Sequence, residues 1–79
     1  MDINSIGEAA GKLWMVLGAQ KRVAIGSLGK ALGGDIALAH QAVGWLARES
    51  KVEFETQGRQ LFVKLTDSEA EEFRKSSGR

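Results

Sequence analysis

The sequence predicts a small α+β domain, and three observations predict it. The first twenty residues carry an apolar stripe of helical period. A second such stripe follows a glycine-rich break. Two segments of alternating apolar and polar residues then flank Gly58-Arg59. The chain has 79 residues, enough for one domain with a modest core.

The first element is a helix. Ile3, Ile6, Ala10, Leu13, Trp14 and Leu17 recur at three- and four-residue steps. Ser5 and Glu8 have capping-box spacing, so the helix starts near Ser5 or one turn earlier at Asp2. Gly18 reads as a stop signal. Gly7 and Gly11 each cost about 1 kcal/mol of helix propensity against alanine. Their spacing of four suggests close packing of a neighbouring element on that side.

Lys21–Ile25 reads as a short extended segment and Ser27–Leu32 as a short helix, broken by Gly33-Gly34. Asp35 can accept from the free N–H groups of a longer helix that runs to about Ser50. Ala39, Val43 and Leu46 form its buried stripe.

Val52–Thr56 and Gln60–Leu65 alternate as strands. Glycine first in a two-residue connection is the type II′ signal. That turn sets Thr56 opposite Leu61, Phe54 opposite Val63 and Val52 opposite Leu65. It also pairs Glu53 with Lys64. Thr66-Asp67-Ser68-Glu69 is a second capping box, opening a short acidic helix to about Lys75. Ser76–Arg79 is expected to fray. The whole is one domain, residues 1–79, with 66–79 as a terminal helix and tail.

This order is the winged helix-turn-helix: a three-helix core, a short first strand, a C-terminal two-stranded β-wing and a short C-terminal helix. The stretch Gly44-Trp45-Leu46-Ala47-Arg48-Glu49-Ser50-Lys51-Val52 adds a more specific signal. With Ile6-Gly7-Glu8-Ala9-Ala10-Gly11-Lys12-Leu13-Trp14 it resembles a family of small stand-alone bacterial winged helix-turn-helix domains. That family is catalogued as a domain of unknown function. The resemblance spans Ile6 to Leu65 and leaves Thr66–Arg79 outside. It implies the fold; a fold alone does not fix a function.

Composition removes several classes. There is no cysteine and one histidine, His40, which argues against a disulfide framework and a zinc site. No run approaches the ~18 apolar residues of a membrane span. The N-terminus lacks the plan of a signal peptide, so the expected location is a reducing cytoplasm. There is no Walker A sequence, and no nucleophile is set beside a positioned histidine. No enzyme, cofactor, metal or membrane partner is expected.

In a DNA-binding helix-turn-helix the start of the second of its helices meets base edges. With Asp35 as cap, the outward positions are Ile36, Ala37, His40, Gln41 and Gly44. Of these, His40 and Gln41 can hydrogen-bond a base, and no Arg or Lys stands ready to read guanine. Lys21, Arg22 and Arg59 could hold phosphates on either side; Lys12 and Lys30 are further candidates. Glu53 and Glu55 oppose them. The plainer readings are ordinary solvated charges for the basic residues and a partly buried packing role for His40. The formal net charge of +1 supplies no global attraction to DNA.

Leu38, Ala42 and Trp45 form a second apolar stripe beside the core stripe. Phe62 points off the opposite sheet face from Leu61 and Val63. Either the C-terminal helix folds over one of these patches through Ala70 and Phe73, or a homodimer covers them with Trp45 as its anchor. The small core favours the homodimer. Two functions therefore stand. One is a dimeric DNA-binding transcriptional regulator that touches two half-sites. The other is a protein-interaction module that reuses the fold without binding DNA.

Overall fold

A computed structural model describes residues 2–77. The element order is α1 (Ile3–Gln20), β1 (Val23–Ala24), a 3-10 helix (Ile25–Leu32), α2 (Ile36–Arg48), β2 (Val52–Gln57), β3 (Gln60–Leu65) and α3 (Asp67–Ser77). It is the predicted α+β winged helix-turn-helix. Ser76 and Ser77, expected to fray, continue α3, which runs two residues past Lys75; residues 78 and 79 lie outside the described residues.

Asp2, the earlier of the two candidate starts, caps α1. Its Oδ1 accepts the Ser5 backbone N–H at 2.8 Å. That hydrogen bond holds the Asp2 carboxyl below the ordinary carboxylate range. The cap is therefore present at neutral pH and is released as pH falls through the lowered value.

Gly18 does not stop α1, which continues to Gln20. The stop falls at Lys21, with φ +68° and ψ −53°. There the Arg22 N–H donates to the Gln20 carbonyl at 2.7 Å. This is a tight γ-turn on a non-glycine residue, a strained conformation. It turns the chain sharply from α1 into β1.

The short second helix begins at Ile25, two residues earlier than its sequence suggests, and is 3-10 in type. Its Gly29 is buried against α2, where an added Cβ would come within 3.1 Å of Ile36 Cγ1. Gly33 and Gly34 have φ of +70° and +89°. That left-handed pair costs little in glycine and joins the two helices of the motif. Asp35 caps α2 as expected, accepting the Leu38 N–H at 3.0 Å.

The C-terminus of α2 closes with a Schellman motif. Lys51 N–H donates to Leu46 O at 2.9 Å and Ser50 N–H to Ala47 O at 3.0 Å. Ser50 sits at φ +60°, where glycine is favoured. We expect Ser50→Gly to raise stability by about 0.5–1 kcal/mol, because it relieves left-handed strain. Thermal melts followed by circular dichroism check this, and a lowered melting temperature contradicts it.

The hairpin has the predicted register: Val52↔Leu65, Glu53↔Lys64, Phe54↔Val63 and Thr56↔Leu61. Gly58 has φ +63°, and Arg59 is not among the positive-φ residues, as a type II′ turn requires. β1 adds on the other side of β3, so the strand order is β1-β3-β2. The inner sheet face carries Val52, Val63 and Leu65 into the core. They join Ala9, Ala10, Leu13 and Leu17 of α1, Leu28 of the 3-10 helix, and Ala39, Ala42, Val43 and Leu46 of α2. Phe54 and Leu61 share that inner face but remain 47% and 37% exposed. The hairpin outruns the core there.

α3 starts with Thr66 Oγ1 accepting the Glu69 N–H at 3.4 Å. It packs on α1 and β3. Its anchor is Phe73, which meets Trp14 edge-on at 5.6 Å between ring centroids. Trp14 Nε1–H in turn donates to Glu69 Oε1 at 2.8 Å.

Candidate nucleic-acid interface

The Asp35 cap fixes the start of α2, and the buried stripe Ala39–Ala42–Val43–Leu46 fixes its rotation. The opposite face follows from the 3.6-residue period. Ile36, Ala37, His40, Gln41, Gly44 and Arg48 are all exposed. His40 is thus a surface residue, which corrects the packing role that its apolar neighbours suggested. Its neighbours on the core side are small enough to bury without it. Two of the exposed residues, Ala37 and Gly44, are small, so a partner surface can come close to the helix backbone. An added Cβ at Gly44 would meet nothing within 4 Å.

The wing tip lies near the start of the helix-turn-helix. Arg59, Gln60 and Leu61 share a shallow recess with Ala24, Ile25, Gly26 and Ser27. Arg59 is exposed. Lys12, Lys21, Lys30, Arg48 and Arg59 make no ion pair with any described residue.

Arg22 differs from them. It precedes β1 and reaches across the central strand. Its guanidinium lies 4.2 Å from the centroid of the Phe62 ring. Nη1 donates to Glu55 Oε2 at 2.9 Å and Nη2 to Gln57 Oε1 at 2.8 Å, both on β2. Lys64, between them on β3, sits 3.5 Å from Glu53 and 3.9 Å from Glu55. The outer face of the sheet is therefore a closed set of two cations and two carboxylates. Such half-exposed pairs stabilise little, but they occupy the donors a phosphate would need. Of the expected phosphate contacts, Lys21 and Arg59 are free, and Arg22 is committed to the wing.

The second apolar group does not form one surface. Ala42 is fully buried against the core, so it can line an interface only if the helices part. Leu38 and Trp45 are half-buried and pack on the same core. α1 covers this side of α2, helped by its small residues: an added Cβ on Gly7 would stand 3.9 Å from Trp45 Cζ2. Phe62 lies beyond the sheet, under Arg22. α3 does fold back through Phe73, but onto Trp14 and Gly18 of α1 and not over the Leu38–Trp45 stripe that the fold-back alternative was to cover.

Sequence reasoning missed the Trp14–Glu69–Phe73 cluster. Trp14 and Glu69 are 55 residues apart, and no local pattern links them. Among the described residues, no group of three or more His, Asp or Glu side chains could hold a metal ion. No helix there is long and apolar enough to cross a membrane.

Comparison with known proteins bears on fold and family. A solved structure titled "Reduced HlyU from Vibrio cholerae N16961" is similar, with a TM-score of 0.70 and 17% sequence identity. The similarity covers 98% of this chain and 85% of that one. At that identity it shows a shared fold. No curated protein matches the sequence. The family described as "Winged helix-turn-helix domain (DUF2582)" matches residues 1–65, including both helices of the motif and the whole wing. With the helix-turn-helix and hairpin already seen in the structure, that match places the chain in the DUF2582 family of winged helix-turn-helix domains.

Proposed function

We propose that this domain binds double-stranded DNA as a bacterial, cytoplasmic transcriptional regulator, with α2 in the major groove and the wing beside it. The observation that carries this reading is the uncovered face of α2. Ile36, Ala37, His40, Gln41 and Gly44 line it. They follow the capped N-terminus, the part of such a helix that reaches base edges. Gln41 suits adenine, and Ile36 and Ala37 suit the thymine methyl. Lys21, Lys30, Arg48 and Arg59 supply phosphate contacts.

The test is an amide NMR titration of the labelled protein with a short DNA duplex, paired with fluorescence anisotropy at several salt concentrations. We expect shifts clustered at His40, Gln41 and Arg59. With about four phosphate contacts, the slope of log affinity against log salt is about −4. Arg59→Gln lowers that slope by about one. Arg22→Gln leaves it nearly unchanged, because that guanidinium serves the wing. No shifts at low salt would sink the reading.

A second reading is the interaction module, and one observation favours it. Phe54 and Leu61 stand exposed on the inner wing face, and Ile36 is 57% exposed. A second copy that covers them makes a homodimer. Light scattering tests that form of it: a mass of one 8.5 kDa chain at working concentration removes the homodimer.

A further inference from the structure

A cleft of about 480 Å³ opens between α1, α2 and α3, on the side of the molecule where α1 crosses the back of α2. Gly7, Ala10, Gly11 and Trp14 of α1 line it, and so does Trp45 of α2. Leu46 of α2, Glu49 and Lys51 past its end, and Glu69, Glu72 and Ser76 of α3 complete the lining. A Cβ on Gly11 would meet nothing within 4 Å, so the space above it is open. The size is in the range that holds small organic ligands.

The charges here are unbalanced. Three carboxylates face one cation, and Lys51 Nζ already lies 3.5 Å from Glu49. Glu69 accepts from the Trp14 indole at 2.8 Å, which fixes both side chains but leaves the carboxylate charge in place. Glu72 makes no ion pair with any described residue. An anion is therefore repelled. A neutral aromatic molecule gains contact with the indoles but nothing from the carboxylates. A small inorganic cation gains the charge but leaves the indoles unused. A cation with an apolar body gains both, since indole rings attract ammonium groups through their quadrupole.

We propose that this cleft binds an organic ammonium ion that carries an apolar group. The site is separate from the outward face of α2 and does not depend on DNA binding.

The test uses the full chain and benzyltrimethylammonium as the probe, with benzyl alcohol as the uncharged comparison. Binding is read from the two tryptophan indole N–H signals and the Gly7 and Gly11 amides. We expect saturable shifts at these signals, with benzyl alcohol about tenfold weaker. Glu72→Gln weakens the probe about threefold or more. Gly11→Leu, which fills open space and leaves circular dichroism unchanged, abolishes binding.

Any of four results overturns the proposal, and the first three are no saturable shift at roughly 10 mM probe, equal binding of the uncharged compound, and undiminished binding by a folded Gly11→Leu protein. A fourth would be shifts of the same signals with protein concentration alone, which would mean that a second copy seats there.

Discussion

Replacing Gly18 with alanine is expected to destabilise the protein by about 1–3 kcal/mol, whereas the same change at Gly11 stabilises it by about 1 kcal/mol. Both glycines lie inside α1, and propensity alone predicts a gain at each. Space reverses the sign at one of them. A Cβ at Gly18 would overlap the Phe73 ring, its Cγ included, so rotating the ring offers little relief. α3 itself has to move. It is a short terminal helix held by Phe73 on Trp14, the Trp14–Glu69 hydrogen bond and Ala70 against the core. Undocking exposes Trp14, so its fluorescence should move to longer wavelength before the main unfolding transition in urea. If Gly18→Ala and Gly11→Ala shift the midpoint in the same direction, the packing account of α3 is wrong.

Leu28→Ala is expected to cost about 2–5 kcal/mol, a large share of the roughly 4–12 kcal/mol available to a domain of this length. Leu28 is 1% exposed and is the one large side chain of the 3-10 helix to be fully buried. An eight-residue 3-10 helix has poor internal hydrogen-bond geometry. It persists here because Leu28 is sunk in the core and Gly29 sits against Ile36. The loss therefore removes core packing and the support of α2's first turn together. Urea unfolding gives the energy. Amide exchange at 36–40 shows whether the start of α2 loosens first, and unchanged protection there would detach Leu28 from the helix-turn-helix.

Much of the fold was legible because local signals agreed. The Gly58-Arg59 turn and the strand alternation each imply one register, and it is the same register. Asp35 and the Gly33-Gly34 break bracket the turn of the motif from both sides. The rotation of α2 followed from its buried stripe, so its outward positions are exposed as expected, His40 among them against the packing role that its apolar neighbours suggested.

The misreadings share a cause, which is contact between residues far apart in sequence. Gly18 looked like a helix stop, but its function is to admit Phe73. Arg22 looked like a free cation, but Glu55, Gln57 and Phe62 meet it across the sheet. Ala42 looked like surface because two apolar stripes seemed too many for so small a chain. α1 covers both, since its alanines and glycines let it lie close to α2.

The outer face of the wing also limits how wide the sheet can grow. β2 is an edge strand with a free flank, and an edge of this length can template pairing with another molecule. Glu53 and Glu55 stand along that edge, while the cations that neutralise them lie inward, on β3 and before β1. Two molecules that met flank to flank would bring the two acidic rows together before either could reach its neighbour's lysine or arginine. The pairs that close the face within one molecule thus leave its rim like-charged toward every other copy, a guard against aggregation set in the same side chains.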